Sequence, residues 1–232
     1  MIRKLILIII IIGFAASANA QYGGYPKYEW YYLGAKFGPD FYLYELDFYG
    51  EGSKHEIQQE FDYSLGVYGG YCYNYWIEFR LGVQYSAKNF RIDYDFSNIN
   101  VDPNIILPEK VNWNVSYLGI PLSLCINISR SSNYKFFTSI GIMPEFLLDY
   151  KETTTYQNGI EEESASLWTS TNFNNLIGNS TFSLGLRINF SDYVCLEIEP
   201  YGRYYFSQTH KDFMNDHPIA FGGSLGLFFN IY

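Results

Sequence analysis

Few residues of this chain have the types and spacing that enzymatic chemistry would need. The segment 222–226 has the sequence G-G-S-L-G, which matches the pattern of a nucleophilic serine on a tight turn. That pattern needs an acid and a histidine later in the chain, and no Asp, Glu or His follows Gly226. His55, His210 and His217 are too scattered for a zinc signature. We therefore expect no catalytic site, no metal and no cofactor.

One enzymatic alternative stays open at Ser207, because His210 and His217 follow it closely in the sequence. A lipid-modifying barrel enzyme would place such a serine and histidine near the outer leaflet, but no acid or oxyanion donor can be assigned to this group. The three cysteines, Cys72, Cys125 and Cys195, are too few and too widely spaced for a disulfide framework. We interpret them as small packing residues.

The remaining chemistry is in acids and bases that lie within apolar segments. If those segments are the strands of an eight-stranded barrel and their apolar side chains face outward, the charged side chains face its lumen. Four bases then meet four acids. They must pair, because the interior of an eight-stranded barrel is only wide enough for its own side chains and an unpaired buried charge is costly. The sequence predicts a packed polar lumen that contains Lys36, Glu78, Arg80, Glu145, Arg187, Glu197, Glu199 and Arg203.

The segments that position these residues alternate between apolar and polar side chains with the period of a β-strand. From Ile77 to Tyr85 every second residue is apolar, and the pattern recurs at Thr181–Phe190. Aromatic residues make up 20% of the chain, which also favours β structure. Eight such segments follow one another, at residues 29–38, 60–71, 77–85, 111–128, 134–150, 181–190, 196–206 and 221–231.

The connections between the segments are alternately short and long. Short turns lie at residues 73–75, 130–133 and 191–192, and long polar loops at 39–59, 88–110, 151–172 and 207–217. This is typical of a membrane barrel. We predict an all-β, eight-stranded antiparallel up-and-down transmembrane β-barrel with short periplasmic turns and long outer loops. Ten strands remain an alternative. Pro121 and a shift of the apolar positions near Tyr117 predict a bulge there.

The first twenty residues have the pattern of a signal peptide. Arg3 and Lys4 precede an apolar run that is too short to span a bilayer, and Ala18-Asn19-Ala20 follows as a cleavage site. We expect residues 1–20 to be removed and residues 21–232 to form one barrel domain. Removal of the two bases would change the net charge from −9 to −11. The long loops hold 16 acids, of which Asp40 is the first, and 5 bases, which accounts for that whole charge.

Two interpretations of the barrel differ in which face is apolar. In a soluble, lipocalin-like periplasmic barrel, the apolar residues would line a cavity for an apolar ligand and the charges would face water. Aromatic residues argue against this, because they cluster at strand ends as interfacial girdles do. These clusters lie at residues 30–32, 73–76 and 201–205. The acidic balance also argues against a nucleic-acid partner.

Four short motifs resemble the PorT-like outer-membrane β-barrel family of Bacteroidetes. They are Tyr117-Leu118-Gly119-Ile120-Pro121-Leu122, LGAKFG at 33–38, LGVQYSAK at 81–88 and GGSLGLFFNIY at 222–232. The resemblance spans essentially the whole mature chain. We predict a non-enzymatic outer-membrane protein with an envelope-structural, adhesion or secretion-associated role, and the last of these is what the resemblance implies. The expected partners are outer-membrane lipids, the barrel assembly machinery, and a secretion-system or surface partner bound through the loops.

Overall fold

The computed structural model describes residues 30–43, 54–59, 61–96, 106–129, 131, 133–170, 172–209, 211 and 218–231. The expected signal peptide lies outside the described residues, as do His210 and His217. In the described part of the chain, no helix is long and apolar enough to cross a membrane.

All regular structure in the described residues is β-strand, and all strand pairs are antiparallel. The strands are β1 (Trp30–Leu43), β2 (Lys54–Gln59), β3 (Asp62–Cys72), β4 (Ile77–Asp95), β5 (Pro108–Gly119), β6 (Leu122–Asn127), β7 (Tyr134–Tyr156), β8 (Glu161–Leu167), β9 (Leu176–Asn189), β10 (Val194–Tyr205) and β11 (Ile219–Ile231).

The strands form a sheet that closes on itself: the pairings run from β1 through β3, β4, β5 with β6, β7, β9 and β10 to β11, and β11 pairs with β1. β5 and β6 are two parts of one barrel strand, interrupted at Pro121, which has no N–H to donate. Hydrogen bonds of 3.0 Å from Ile120 N–H to the Pro144 carbonyl and from Gly82 N–H to the Pro121 carbonyl hold the interruption in the wall. The ring therefore contains eight strands, as the sequence predicts, and β2 and β8 lie beyond it.

The outside of the ring is apolar at the end that carries the short turns. Leu33, Leu81, Ile140 and Leu225 are each more than half exposed there, whereas the inward-facing Glu197 is fully buried. A soluble barrel with an apolar interior would show the reverse pattern. The alternative of a lipocalin-like barrel is therefore wrong, and the apolar band is of the kind that faces lipid in membrane barrels.

The strands run further toward the long loops than the sequence suggested. β1 continues to Leu43, β4 to Asp95 and β7 to Tyr156. β2 and β8 also lie in segments that we expected to be loops; they pair with the outer parts of β4 and β7. Together, β2, β4, β5, β7 and β8 form a five-stranded section at the loop end of the barrel, which we call the loop-end section.

The apolar face changes sides where this section begins. In β4, the apolar residues face outward up to Tyr85, but Phe90 and Ile92 face inward and are buried. In β5, Trp113 and Tyr117 are buried inside, whereas Ile120, just beyond the strand, is exposed outside. The two changes lie at the same level, because Ser86 of β4 pairs with Tyr117. Beyond this level β4 and β5 are polar outside and apolar inside, as in a water-soluble protein.

A β-bulge lies at the level where the polarity changes. The register of β5 and β7 shifts between Ser116 and Tyr117, whose partners are Asp149 and Leu147, so that Leu148 is the extra residue. The bulge is therefore on β7 and not in the strand that contains Tyr117. The shift of apolar positions in β5 has another cause: up to Tyr117 the apolar residues face the interior, and from Ile120 onward they face the exterior.

The interior of the loop-end section is a cluster of buried apolar side chains, which we call the loop-end core. Phe173, between β8 and β9, packs into it with ring centroids 5.5 Å from Tyr150, 5.7 Å from Phe90 and 6.4 Å from Trp113. Burial raises the pKa of the Tyr150 hydroxyl, which donates to Glu152. The core comprises Tyr42, Phe90, Ile92, Val111, Trp113, Val115, Tyr117, Leu147, Tyr150, Phe173, Ile177, Tyr205 and Ala220.

The loop-end core gives a first prediction. Phe173→Ala removes a ring that is 2% exposed, and we expect it to destabilise the loop-end section by about 3–5 kcal/mol. Hydrogen exchange should then accelerate in the outer parts of β4, β5 and β7 and stay unchanged near the short turns. Ile160→Ala, at a position that is 55% exposed, is the control. Equal exchange in both variants would show that Phe173 does not hold the section together.

Candidate functional site

All eight charged residues that the sequence assigned to the lumen are buried inside the ring. Lys36 lies on β1, Glu78 and Arg80 on β4, and the others on three neighbouring strands. Each projects inward because it alternates with an outward apolar side chain, as Arg80 does between Phe79 and Leu81. The remaining residues are Glu145 on β7, Arg187 on β9, and Glu197, Glu199 and Arg203 on β10.

Six of the eight form a continuous network of ion pairs, which we call the charge cluster: Lys36, Glu78, Arg80, Arg187, Glu197 and Glu199. Glu197 is its centre, because three cations contact it. The Arg80 and Arg187 guanidinium groups each lie 3.0 Å from Glu197 Oε2, and the Lys36 ammonium pairs with Oε1.

Strand register explains why Glu197 collects three cations. Lys36 on β1 lies opposite Gly226 on β11, Gly226 lies opposite Glu197 on β10, and Glu197 lies opposite Arg187 on β9. The four residues therefore follow one line of paired positions across four neighbouring strands. A Cβ atom at Gly226 would lie 2.9 Å from Lys36 Cγ, so glycine is needed there for the lysine to reach across.

The other carboxylates of the charge cluster are also fully engaged. Arg187 donates two parallel hydrogen bonds of 2.9 Å to the two oxygens of Glu78, and the Asn127 amide adds a third of 2.9 Å. Such a two-point contact is stronger and more directional than a single one. Glu199 accepts from Arg80 at 3.2 Å and also contacts Lys36.

Glu145 and Arg203 lie outside this network, with partners that the sequence did not identify. Lys88 Nζ lies 2.5 Å from Glu145, and Arg203 Nη1 lies 3.1 Å from Asp40, which also accepts a 2.6 Å hydrogen bond from Tyr201. We had counted Asp40 among the loop acids, which is wrong: it is 2% exposed inside the barrel. The sequence did contain a signal for both partners. Asp40 is an even number of residues from Lys36, and Lys88 is an even number from Arg80, so on a continuous strand each faces the same side as the lumen residue.

Aromatic rings fill much of the lumen around the charges. Glycines on the inner wall make room mainly for these rings: a Cβ at Gly70 would lie 1.9 Å from the Tyr32 ring, and one at Gly185 would lie 2.0 Å from Phe137. The Tyr32 hydroxyl accepts a 3.0 Å hydrogen bond from Arg80, and the Arg187 guanidinium lies 4.9 Å from the Tyr32 ring centre. Stacked rings thus supply part of the solvation that water would give.

The aromatic clusters at the strand ends only partly form girdles. Tyr31, Tyr73 and Tyr204 are exposed on the outer wall, but Tyr32 and Tyr205 are buried inside. Alternation is the cause, since neighbours in a strand face opposite sides. The three cysteines are free and buried, and two of them pack at the turn end of the lumen. That turn-end core comprises Trp30, Tyr32, Tyr68, Cys72, Cys195 and Phe228.

The residues considered for catalysis have structural contacts. Ser207 Oγ accepts a 2.6 Å hydrogen bond from Gly178 N–H and thus ties the end of β10 to β9. Ser224, the serine of the G-G-S-L-G segment, lies inside the uninterrupted strand β11 and is buried in the lumen. Among the described residues, no group of three His, Cys, Asp or Glu side chains is placed to hold a metal ion.

Little space is left between the lumen side chains. A cavity of about 60 Å³ lies beside Lys36, Arg80, Glu199 and Tyr201. It offers room for a few water molecules, and the charged side chains among its partly apolar lining can hydrogen-bond them. The chemical effect of the arrangement is neutralisation, because every cation that lines the cavity lies close to a carboxylate.

Comparison with known proteins gives one family match. Residues 32–210 match the family described as "Outer membrane protein beta-barrel domain". Among curated proteins, none matches this chain.

Solved structures of outer-membrane proteins share the fold at low identity. OprG from Pseudomonas aeruginosa is 10% identical with a TM-score of 0.49, over 90% of this chain and 98% of that one. The N-terminal β-barrel domain of OprF from the same organism is 11% identical with a TM-score of 0.45, over 86% and 97%. The protease OmpT from Escherichia coli is 8% identical with a TM-score of 0.46, over 91% and 99%. Similarity at this level carries no information about activity.

The ion pairs give a second prediction, by a double-mutant cycle. Asp40→Ala or Arg203→Ala alone leaves a buried charge without its partner and should cost about 3–5 kcal/mol of unfolding free energy, whereas the double variant should cost less than the sum. Glu197→Ala should be as costly as either, because it leaves three cations without their shared carboxylate. Urea titration of the barrel in lipid vesicles measures these values.

The cycle has an internal control. Glu197 and Arg203 share no partner, so the effects of Glu197→Ala and Arg203→Ala should add within about 0.5 kcal/mol. Strong coupling between Glu197 and Arg203, together with additivity of Asp40 and Arg203, would contradict the pairing described above.

Proposed function

The chain belongs to the outer membrane protein beta-barrel domain family, and we propose that it is a non-enzymatic surface protein that presents a rigid β-sheet platform outside the cell and conducts no solutes. As a member of this family it lies in the outer membrane, in contact with lipid. The observation that carries the proposal is the loop-end section, in which the wall continues beyond the apolar band and has its own apolar core.

A section of this kind suits binding better than loops do. Binding surfaces that are already ordered lose less conformational entropy when a partner arrives. On β4, β5 and β7 the outward residues of this section are mainly polar: Asn89 and Arg91 on β4, Asn112 and Asn114 on β5, and Lys151 on β7. Water can therefore surround the section up to the change in polarity. Of the three roles expected from the sequence, two need such a surface: adhesion and service to a secretion machine.

The packed lumen supports the non-conducting part of the proposal. The charge cluster crosses the barrel from β1 to β9, and the loop-end core covers it on the side of the loops. An ion that crossed the barrel would have to break buried ion pairs. The non-enzymatic part is supported at Ser207, whose hydroxyl is bound to the backbone of Gly178. Altered envelope lipids in a Ser207→Ala strain would contradict it.

The orientation of the platform gives a third prediction. Asn158 lies in the exposed turn between β7 and β8, and the three native cysteines are buried. Asn158→Cys should therefore react on intact cells with a membrane-impermeant maleimide, whereas the unmodified chain should not. Asn74→Cys, in the short turn between β3 and β4, is the matched control and should react only after the outer membrane is opened. The opposite pattern would place the platform on the periplasmic side.

Conductance gives a fourth prediction. The folded barrel, reconstituted in planar lipid bilayers, should show no stable current steps, because paired charges and aromatic rings fill its lumen. Heat-modifiable migration on gels serves as the control that the protein is folded. Reproducible ohmic current steps from a heat-modifiable preparation would contradict the non-conducting part of the proposal. They would not bear on the β-sheet platform.

A further inference from the structure

β8 is the last strand of the loop-end section: it pairs with β7, and in the described part of the chain no other strand pairs with its outer edge, which we call the open edge. Edge strands of natural proteins are usually protected by charged side chains, above all lysine, by proline or by a bulge, because an unprotected edge can pair with another chain. The sequence of β8, EEESASL, contains neither lysine nor proline, and its register with β7 is regular. Its charges are three glutamates, which repel acidic partners but attract basic ones.

The hydrogen-bond phase of the β7–β8 ladder shows which backbone groups face outward. Tyr156 N–H donates to the Ile160 carbonyl at 2.9 Å, and Trp168 N–H donates to the Leu148 carbonyl at 3.2 Å. In an antiparallel ladder, bonded pairs alternate with non-bonded pairs. The even-numbered residues of β8 therefore direct their N–H and C=O groups to β7. The odd-numbered residues direct theirs to the open edge: Glu161, Glu163, Ala165 and Leu167.

Side-chain contacts with β7 hold β8 in place. The Tyr156 hydroxyl donates to Glu162 at 3.0 Å, and Lys151 pairs with Glu163 at 2.9 Å. After β8 the chain turns at Trp168, which has a φ of 63°, and crosses the inner face of the section, where Phe173 enters the loop-end core. The segment that follows β8 therefore does not run along its outer edge. The edge is preorganised, so a partner need not order it.

Charge indicates the chemistry of the partner. Glu161, Glu162 and Glu163 are exposed at one end of β8, and Leu167 is 66% exposed at the other. Cross-strand neighbours of opposite charge are favourable and like charges are not. An added strand would therefore carry Lys or Arg opposite the glutamates and an apolar side chain opposite Leu167.

We propose that the open edge of β8 binds a basic, extended segment of an extracellular polypeptide by β-strand addition. In this mode the odd-numbered backbone groups supply the hydrogen bonds and the three glutamates select the sequence. The proposal rests on the proposed function, because the edge is available to such a partner only if the loop-end section lies outside the cell.

The test uses the full chain in lipid nanodiscs and an alternating Lys-Val hexapeptide as the probe, with binding measured by calorimetry. Three peptides separate backbone pairing from charge: the probe itself, a Glu-Val hexapeptide, and the probe with its alternate amides N-methylated. We expect the probe to bind, with an affinity that falls as salt rises. The acidic peptide should not bind. The N-methylated peptide should bind at least about tenfold more weakly, because it keeps the charge and loses the hydrogen bonds.

Two variants test the protein side. Ala165→Pro removes an N–H group at the open edge and no bond to β7, so it should weaken probe binding at least about tenfold. Ala165→Val, which keeps the N–H group, is the matched control and should bind as the unmodified chain does. Simultaneous Glu161→Gln, Glu162→Gln and Glu163→Gln substitutions should weaken binding and remove most of its salt dependence.

The outcomes distinguish this inference from the proposed function. Equal binding of the N-methylated peptide, or of the Ala165→Pro variant, would overturn strand addition and leave only charge attraction. No binding of the probe to a chain whose Asn158→Cys variant is labelled from outside would overturn the inference alone. Absence of that labelling in a folded barrel would overturn the proposed function. If Ala165→Pro does not fold, the N-methylated peptide still decides.

Discussion

The lumen of this barrel has little room for water, so ionised side chains in it are stabilised by polar partners and opposite charges within reach. Asp62, which is buried, accepts a hydrogen bond from Asn89 N–H. The described ion pairs of the lumen contain five acids and five bases. They join Asp40, Glu78, Glu145, Glu197 and Glu199 to Lys36, Arg80, Lys88, Arg187 and Arg203. The need for partners also fixes the strand register, because a shift of one residue between β10 and β11 would carry Glu197 away from the gap at Gly226.

The same strands face two different solvents, lipid and water, at different heights. Near the short turns the wall faces lipid, so its outer side chains are apolar and its interior is polar. Near the loops it faces water, and the arrangement is reversed. The reversal takes place within a few residues at Tyr85–Phe90 of β4 and Tyr117–Ile120 beside it. The bulge at Leu148 of β7 lies at the same height. A long strand such as β7 can therefore belong to a membrane barrel and to a water-soluble sheet at once.

Alternation was enough to predict the closed ring and the inward side of its charged residues, because the period of a strand depends only on the local backbone. It failed where the environment changed. Beyond Tyr85 the apolar residues of β4 move to the other face, and the polar residues between them resemble a loop, so the outer part of β4 was missed. Asp40 was missed for a similar reason, since it follows Gly38-Pro39. Which acid pairs with which base could not be predicted from the sequence either, because it depends on which strands face each other across the barrel.

The reversal of polarity has a mechanical consequence for how the molecule sits in its membrane. Sinking deeper would carry Asn89, Arg91 and Asn112 into hydrocarbon, and rising would bring Leu81 and Ile140 into water. Both displacements are opposed, so the barrel has a defined depth of immersion. The open edge of β8 is therefore held at a constant height above the lipid headgroups.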